Sequence, residues 1–296
     1  MRCGIIILPQ DPWPEAKRKW RGAEERGFDS AWTYDHLSWR SLADETWHAT
    51  IPTLTAASVV TERIRLGTIV ASPNFRHPVP FAKEVATLDD ISGGRVVLGV
   101  GAGGTGFDAF VLGEGELTPR ERHERFAEFV SDLDALLRFE LPGSGGVSFS
   151  GEWYAGVNAR MVGVPVQRPR VPFVVAANGA KGMRVAAEYG AGWVTTGADG
   201  AIGEDWWASV ASLSGRFEDA AWSVGTDPLS VDKYLMIDSG GIYALESVAR
   251  FEETVGRAAE LGFTEVLTHW PRGTGIYAGS ESVLDEVAAL LPMLRA

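Results

Sequence analysis

Short apolar runs separated by longer amphipathic stretches recur along the whole chain. Leu66–Ala71 is apolar and rich in β-branched residues, with the length of a buried strand. Pro78–Ile91 follows with helical spacing, opens on proline and stops at Ser-Gly-Gly. Val96–Val100 is a second apolar run, and it leads into Gly101-Ala102-Gly103-Gly104. Strands apolar on both faces and joined by a helix belong to a parallel sheet covered by helices. The same alternation predicts strands over Cys3–Leu8, Ser30–Tyr34, Phe173–Ala176, Trp193–Thr196, Lys233–Ile237 and Glu265–His269. It predicts helices over Glu15–Arg26, Thr46–Thr61, Lys181–Tyr189, Asp205–Ala221, Glu246–Leu261 and Ser282–Leu294. Another begins at Pro119 and carries an apolar stripe of Phe126, Phe129, Val130, Leu133, Leu136 and Leu137.

Two stretches interrupt this rhythm. Thr105–Thr118 reads as a long loop. Pro142–Arg170 is rich in Gly and Pro and reads as an insertion, with hairpin-like pieces at Val147–Phe149 and Trp153–Tyr154. Because the alternation resumes after it and no linker is evident, the pattern predicts one α/β domain over residues 1–296. Eight strand–helix units at this length form a (β/α)8 TIM barrel with insertions in its loops more readily than an open doubly wound sheet. In such barrels the chemistry sits at the C-terminal ends of the strands.

Composition narrows the partners. Hydrophobic residues make up 45% of the 296 and charged ones 22%, enough for a packed core. The formal charge of -12 argues against nucleic acid or an anionic membrane surface as the main partner. A small-molecule substrate remains, including an anionic one held by a few local donors. Cys3 is the only cysteine, so neither an intrachain disulfide nor a Cys-based metal cluster is expected. The apolar run Ile5–Leu8 is too short for a signal segment or a membrane span, and a cytoplasmic location is expected. Eleven tryptophans are many, and Trp13, Trp39, Trp47 and Trp270 lie in predicted loops. They serve either helix–barrel packing or an aromatic-walled pocket.

Candidate chemistry gathers at predicted strand ends. Asp35-His36 closes strand two, where a proton-transferring or hydrogen-bonding pair is one reading and a loop cap with a packed histidine the other. Gly99–Gly104 fits G-x-G-x-x-G in letters, but a dinucleotide loop must open a helix at once and this one does not. What survives is a run of small residues whose backbone N–H groups can approach a phosphate or a ring. Arg76 could hold an anion, whereas His77 and His123 read as solvated. Asn178-Gly179-Ala180-Lys181-Gly182 opens a helix and could cradle a phosphate. His48, His123 and His269 show no ligand spacing with Asp, Glu or Cys, so no metal site is expected and a metal-dependent hydrolase ranks low.

Three segments in order, LGTIVASPNFRHP, LDDISGGRVVLGVGAGG and VVAANGAKGMRVAAEYGAGWVTTG, resemble the bacterial-luciferase-like superfamily of flavin and deazaflavin oxidoreductases. The resemblance starts at GFDSAWTYDHL and covers essentially the whole chain. It implies a (β/α)8 barrel binding coenzyme F420, or alternatively FMN, at the strand C-termini. Asp35-His36 is similar to the Asp-His pair of the deazaflavin branch, with His36 as proton partner and Asp35 orienting it. Ile69-Val70, continuing to Ala71, matches the position of a non-prolyl cis peptide that supports the ring. Gly103-Gly104 and Ala177-Asn178-Gly179-Ala180 match loops that contact ribityl and phosphate groups. Arg76, Lys181 and Arg184 would supply positive charge for the polyglutamylated coenzyme.

The function so implied is F420-dependent hydride transfer to or from a small organic substrate. The alternatives are an FMN-dependent monooxygenase, with a separate flavin reductase, and a non-catalytic flavin-binding protein. A homodimer is expected from the resemblance. Gly-Thr-Gly-Phe-Asp after strand four lacks the acidic residue that sugar-phosphate dehydrogenases of the superfamily place just after the glycines, which argues against a sugar-phosphate substrate.

Overall fold

A computed structural model describes residues 1–104, 107–140, 145–163 and 165–295. Its elements begin with β1 (Arg2–Ile6), α1 (Trp13–Glu25), β2 (Ser30–Thr33), α2 (Thr50–Ser58), β3 (Arg65–Ala71) and α3 (Pro78–Ser92). Next come β4 (Val96–Gly101), α4 (Phe107–Val111), α5 (Pro119–Leu137), β5 (Val147–Ser150) and β6 (Ala155–Ala159). The chain finishes with β7 (Phe173–Ala176), α6 (Ala180–Tyr189), β8 (Gly192–Thr195), α7 (Gly203–Ser223), β9 (Asp232–Met236), α8 (Val248–Glu260), β10 (Glu265–His269) and α9 (Glu281–Leu294).

Eight parallel strands close in the order β1-β2-β3-β4-β7-β8-β9-β10, with β1 pairing β10 to seal the barrel. This is the expected (β/α)8 barrel, and β5 and β6 form the antiparallel hairpin of the insertion outside it. Thr105, which opens the expected long loop, and Pro142–Ser144, which open the insertion, lie outside the described residues. The rest of that long loop is not irregular throughout, because α4 lies within it. The helix expected at Thr46–Thr61 is shorter, Thr50–Ser58, because Trp47 to Ala49 stay extended toward the barrel mouth. Among the described residues no helix is long and apolar enough to cross a membrane.

Alternation along the strands sorts residues between two cores. Ile6, Trp32, Val97, Val174, Val194, Tyr234 and Leu267 fill the barrel interior. Ile5, Ala31, Leu98, Val175, Trp193 and Val266 face the helices instead. The period of two in each strand makes this division automatic. Two glycines make room inside. A Cβ on Gly67 would lie 2.5 Å from the Trp32 ring, and one on Gly99 would lie 2.0 Å from the Thr68 carbonyl oxygen. A backbone oxygen cannot swing away, so Gly99→Ala is expected to cost about 1–3 kcal/mol of stability through overpacking. Urea unfolding at equal m-value measures this, and an unchanged midpoint would show that the strand can shift.

The insertion is fastened to the barrel's flank. Glu128 on α5 accepts backbone N–H bonds from Glu152, Trp153 and Tyr154. Buried Asp89 on α3 accepts from the Gln167 backbone and side-chain amides. Tyr154 packs edge-on against His77. These contacts hold the hairpin against α3 and α5.

Candidate active site

The C-terminal mouth is built where β2, β3 and β4 end. Asp35 follows β2 and is 1% exposed. Its carboxylate is gripped by Arg76 in a two-point ion pair, Nη2 to Oδ1 at 2.7 Å and Nε to Oδ2 at 3.1 Å. Arg76 also reaches Glu84. Asp35 therefore does not orient His36, and Arg76 is already committed to two carboxylates rather than free for a ligand anion. The fork geometry of guanidinium and carboxylate explains why the neighbours in sequence part company.

The partner of His36 is Asp108, on α4. Asp108 Oδ2 bonds His36 Nδ1, while Oδ1 accepts from the Leu37 backbone N–H at 2.7 Å. Asp108 is buried and the His36 side chain is 27% exposed. The two-handed grip fixes the ring and leaves Nε2 as the nitrogen available for exchange at the mouth. Sequence reading missed Asp108. The one sequence signal was an acid four residues past Gly104, with nothing in the sequence to tie it to His36, 72 residues away.

Aromatic rings wall the site. Tyr34 meets His36 edge-on at 6.0 Å and Trp39 at 5.2 Å, and Trp39 stacks on Trp47. Of the four loop tryptophans, these two line the mouth. Trp270 is instead a packing residue under Arg18 and Arg26. Trp13 lines a separate cavity of about 300 Å³ with Trp20, His48 and Pro52, beside α1 and α2.

The neighbouring ends of β3 and β4 offer backbone rather than side chains. The Ile69–Val70 peptide is cis, and the pairing of β3 with β4 shifts register between Thr68 and Ala71. Just beyond, the buried Ser72 hydroxyl has no hydrogen-bond partner. Gly103 adopts φ +71 beside Asn74, where a Cβ would lie 2.6 Å from the amide. Asn74 donates to the Gly104 carbonyl and accepts from buried Arg125 at 2.6 Å, so α5 braces this loop. Arg125, which reads in the sequence as part of a charged helix start, is thus a support for the glycine loop. A Cβ on Gly104 would meet nothing within 4 Å, which marks open space.

The loop after β7 is braced in a similar way. Trp193 donates to the Ala177 carbonyl, Thr195 donates to Asn178 Oδ1, and Asn178 Nδ2 donates to Gly197. With its side chain so occupied, Asn178 offers backbone only. Gly179 caps α6 without a side-chain bond, so the helix's first N–H groups face outward. His123 on α5 is not fully solvated. Burial and the nearby charges of Lys181 and Arg184 hold its ionisation below the usual imidazole range. His123, Lys181 and Arg184 thus share one positive locale beside the α6 N-terminus. His77, by contrast, is exposed and accepts the Val79 N–H as the cap of α3.

A closed βα barrel with a histidine–aspartate pair and backbone-lined loops at the C-terminal ends of its strands has the form of a barrel enzyme's active-site face. The sequence profile of the luciferase-like monooxygenase family matches residues 1–226, and the chain belongs to that family. The chain is 37% identical over 180 residues to an F420-dependent glucose-6-phosphate dehydrogenase of Beutenbergia cavernae, a match covering 60% of this chain and 51% of that protein. The chain thus spans about half the length of that relative. It is 31% identical over 302 residues to an F420-dependent hydroxymycolic acid dehydrogenase of Mycobacterium tuberculosis, covering 93% of this chain and 77% of that one. Among solved structures, an F420-dependent secondary alcohol dehydrogenase superposes with a TM-score of 0.82 at 19% identity, covering 100% of this chain and 99% of that one. That likeness concerns the fold.

Proposed function

We propose that the protein is an F420-dependent oxidoreductase that moves a hydride between the coenzyme and a small organic substrate. The observation that carries the reading is the Asp108–His36 pair at the mouth, beside loops that could accept a flat ring and a phosphate. Two relatives at 31% identity or more are named as F420-dependent dehydrogenases, which supports the choice of coenzyme.

The residues present fit that coenzyme. Ser72 supplies an orphaned buried hydroxyl next to Ile69–Ala71, where a ring carbonyl could be recognised. The open spaces at Gly104 and Gly179 leave backbone N–H groups free to approach ribityl and phosphate oxygens. Lys181 and Arg184 supply local positive charge for a polyanionic tail in a chain of formal charge -12. The bound coenzyme supplies the hydride chemistry. The chain's own residues position it, exclude water with Tyr34, Trp39 and Trp47, and hold a proton at His36 Nε2.

The experiment is anaerobic turnover. Purified protein with F420 and a panel of primary and secondary alcohols is expected to bleach the coenzyme's absorbance. Product formation that requires reduced FMN and oxygen, with F420 inert, would instead assign the protein to the flavin monooxygenases of the family. Binding of either coenzyme with no turnover of any substrate would indicate a carrier.

A further inference from the structure

A second histidine at the mouth is also held through Nδ1 by an aspartate. His269 ends β10, and its Nδ1 lies 2.7 Å from Asp238 Oδ2, both side chains 1% exposed. Asp238 also accepts from the His269 backbone N–H at 2.7 Å, from Thr268 Oγ1 and from the Ala244 N–H. Every one of these groups donates, so Asp238 acts as an acceptor and His269 carries its proton on Nδ1. Nε2 is then the acceptor, and the Tyr34 hydroxyl, 2.9 Å away, donates to it. Tyr277 stacks face to face on the imidazole, with centroids 3.5 Å apart, and the Tyr243 hydroxyl ties down the His269 carbonyl.

The result is a directed chain, Tyr34 to His269 to Asp238. Among the described residues no Lys or Arg forms an ion pair with Asp238, so the carboxylate's one potentially cationic contact is His269. A proton arriving at Tyr34 would make an imidazolium against that carboxylate and balance the buried charge. Burial, then the neighbouring Tyr277, pushes the Tyr34 phenol upward, so the hydroxyl remains neutral until a proton is exchanged through it.

Position says what it would meet. Tyr34 and Trp32 share the inward face of β2, as His269 and Leu267 share that of β10. In the closed strand order β10 stands four strands from β4, directly across the barrel from Gly101–Gly104. A ring seated on the β3–β4 side would look across the mouth toward His269 and the Tyr34 hydroxyl bonded to it.

We propose that Tyr34, wired to His269 and Asp238, takes the proton of a substrate hydroxyl, so that the substrate class is an alcohol and its carbonyl counterpart. This rests on the hydride-transfer reading above. In the oxidative direction the alcohol O–H bond breaks and its proton joins Tyr34 Oη as the Tyr34 proton moves to His269 Nε2. The alcohol carbon gives up its hydrogen with the electron pair to the coenzyme and becomes a carbonyl carbon. The alcohol is oxidised by two electrons and the coenzyme reduced by two. His36, with Asp108, serves the proton that the coenzyme takes up.

The test has a coenzyme-free arm and a turnover arm. With five histidines in the chain, ¹⁵N-histidine NMR can follow His269 individually. Titrating the wild-type protein with 2,2,2-trifluoroethanol, an acidic alcohol, is expected to move the His269 Nε2 signal toward imidazolium. Its methyl ether, which has no hydroxyl proton, should not, and neither should trifluoroethanol on Tyr34→Phe. In single turnover with F420 and an alcohol, Tyr34→Phe is expected to slow hydride transfer about 100-fold or more while coenzyme affinity is kept. An unmoved His269 signal in the wild type, or the same movement in Tyr34→Phe, would overturn the proposal even if the enzyme reduces F420. Conversely, failure to bind F420 with the NMR response intact would sink the hydride-transfer reading and leave the Tyr34 chain standing.

Discussion

Replacing His36 with alanine is expected to slow F420 reduction by about 100- to 1,000-fold, the usual contribution of a positioned proton-transfer group. Coenzyme affinity should change far less, because the proposed coenzyme contacts are backbone groups after β3, β4 and β7, whereas His36 is held through the Asp108 side chain. Asp108→Asn is the sharper variant. It preserves shape and the Leu37 N–H bond, but a primary amide can donate to Nδ1 and select the wrong tautomer of the ring. Its loss should fall in kcat rather than KM, and the pH dependence of kcat should move with it. Full turnover in both variants would remove His36 from the chemistry and leave Tyr34 as the proton-handling group.

The second large effect concerns folding rather than chemistry. Arg76→Ala removes the cation that faces a carboxylate 1% exposed to solvent. Breaking a buried ion pair by deleting one partner leaves an uncompensated charge and costs about 3–5 kcal/mol. That is a large share of the ~5–15 kcal/mol that stabilises a typical domain. The variant should therefore unfold at markedly lower urea concentration, and a second substitution, Asp35→Asn, should recover part of the loss. Loss of less than about 1 kcal/mol would mean that the pair is solvated in practice, since exposed pairs are worth that little. The comparison separates the two proposed roles: Asp35 as a loop anchor paired with Arg76, and His36 as a proton-handling group paired with Asp108.

The barrel was legible because its signals are local. Apolar runs of strand length and helical stripes sit within a dozen residues, and Phe173–Ala176 and Glu265–His269 match the pattern to the residue. The helix Phe107–Val111 was not legible, since five residues after a glycine run carry too little periodicity. The loops around Gly103–Gly104 and Ala177–Ala180 could be found from small residues at strand ends, and the resemblance pointed to the cis peptide at Ile69–Val70. The partners of the polar side chains could not be found. Asp35 meets Arg76 across 41 residues, His36 meets Asp108 across 72, and Tyr34 meets His269 across 235. Only closure of the barrel through β1 and β10 makes the last pair neighbours. Sequence adjacency suggested that Asp35 orients His36; tertiary structure gave each a different partner, because a guanidinium fork outcompetes an imidazole for a buried carboxylate.

The most direct test of the whole account is equilibrium binding of coenzyme F420 and of FMN to the same purified protein, side by side. The site described here predicts micromolar or tighter affinity for F420, with FMN much weaker, and a loss of F420 affinity when Lys181 and Arg184 are both replaced by glutamate. Tight FMN binding with little affinity for F420 would contradict it.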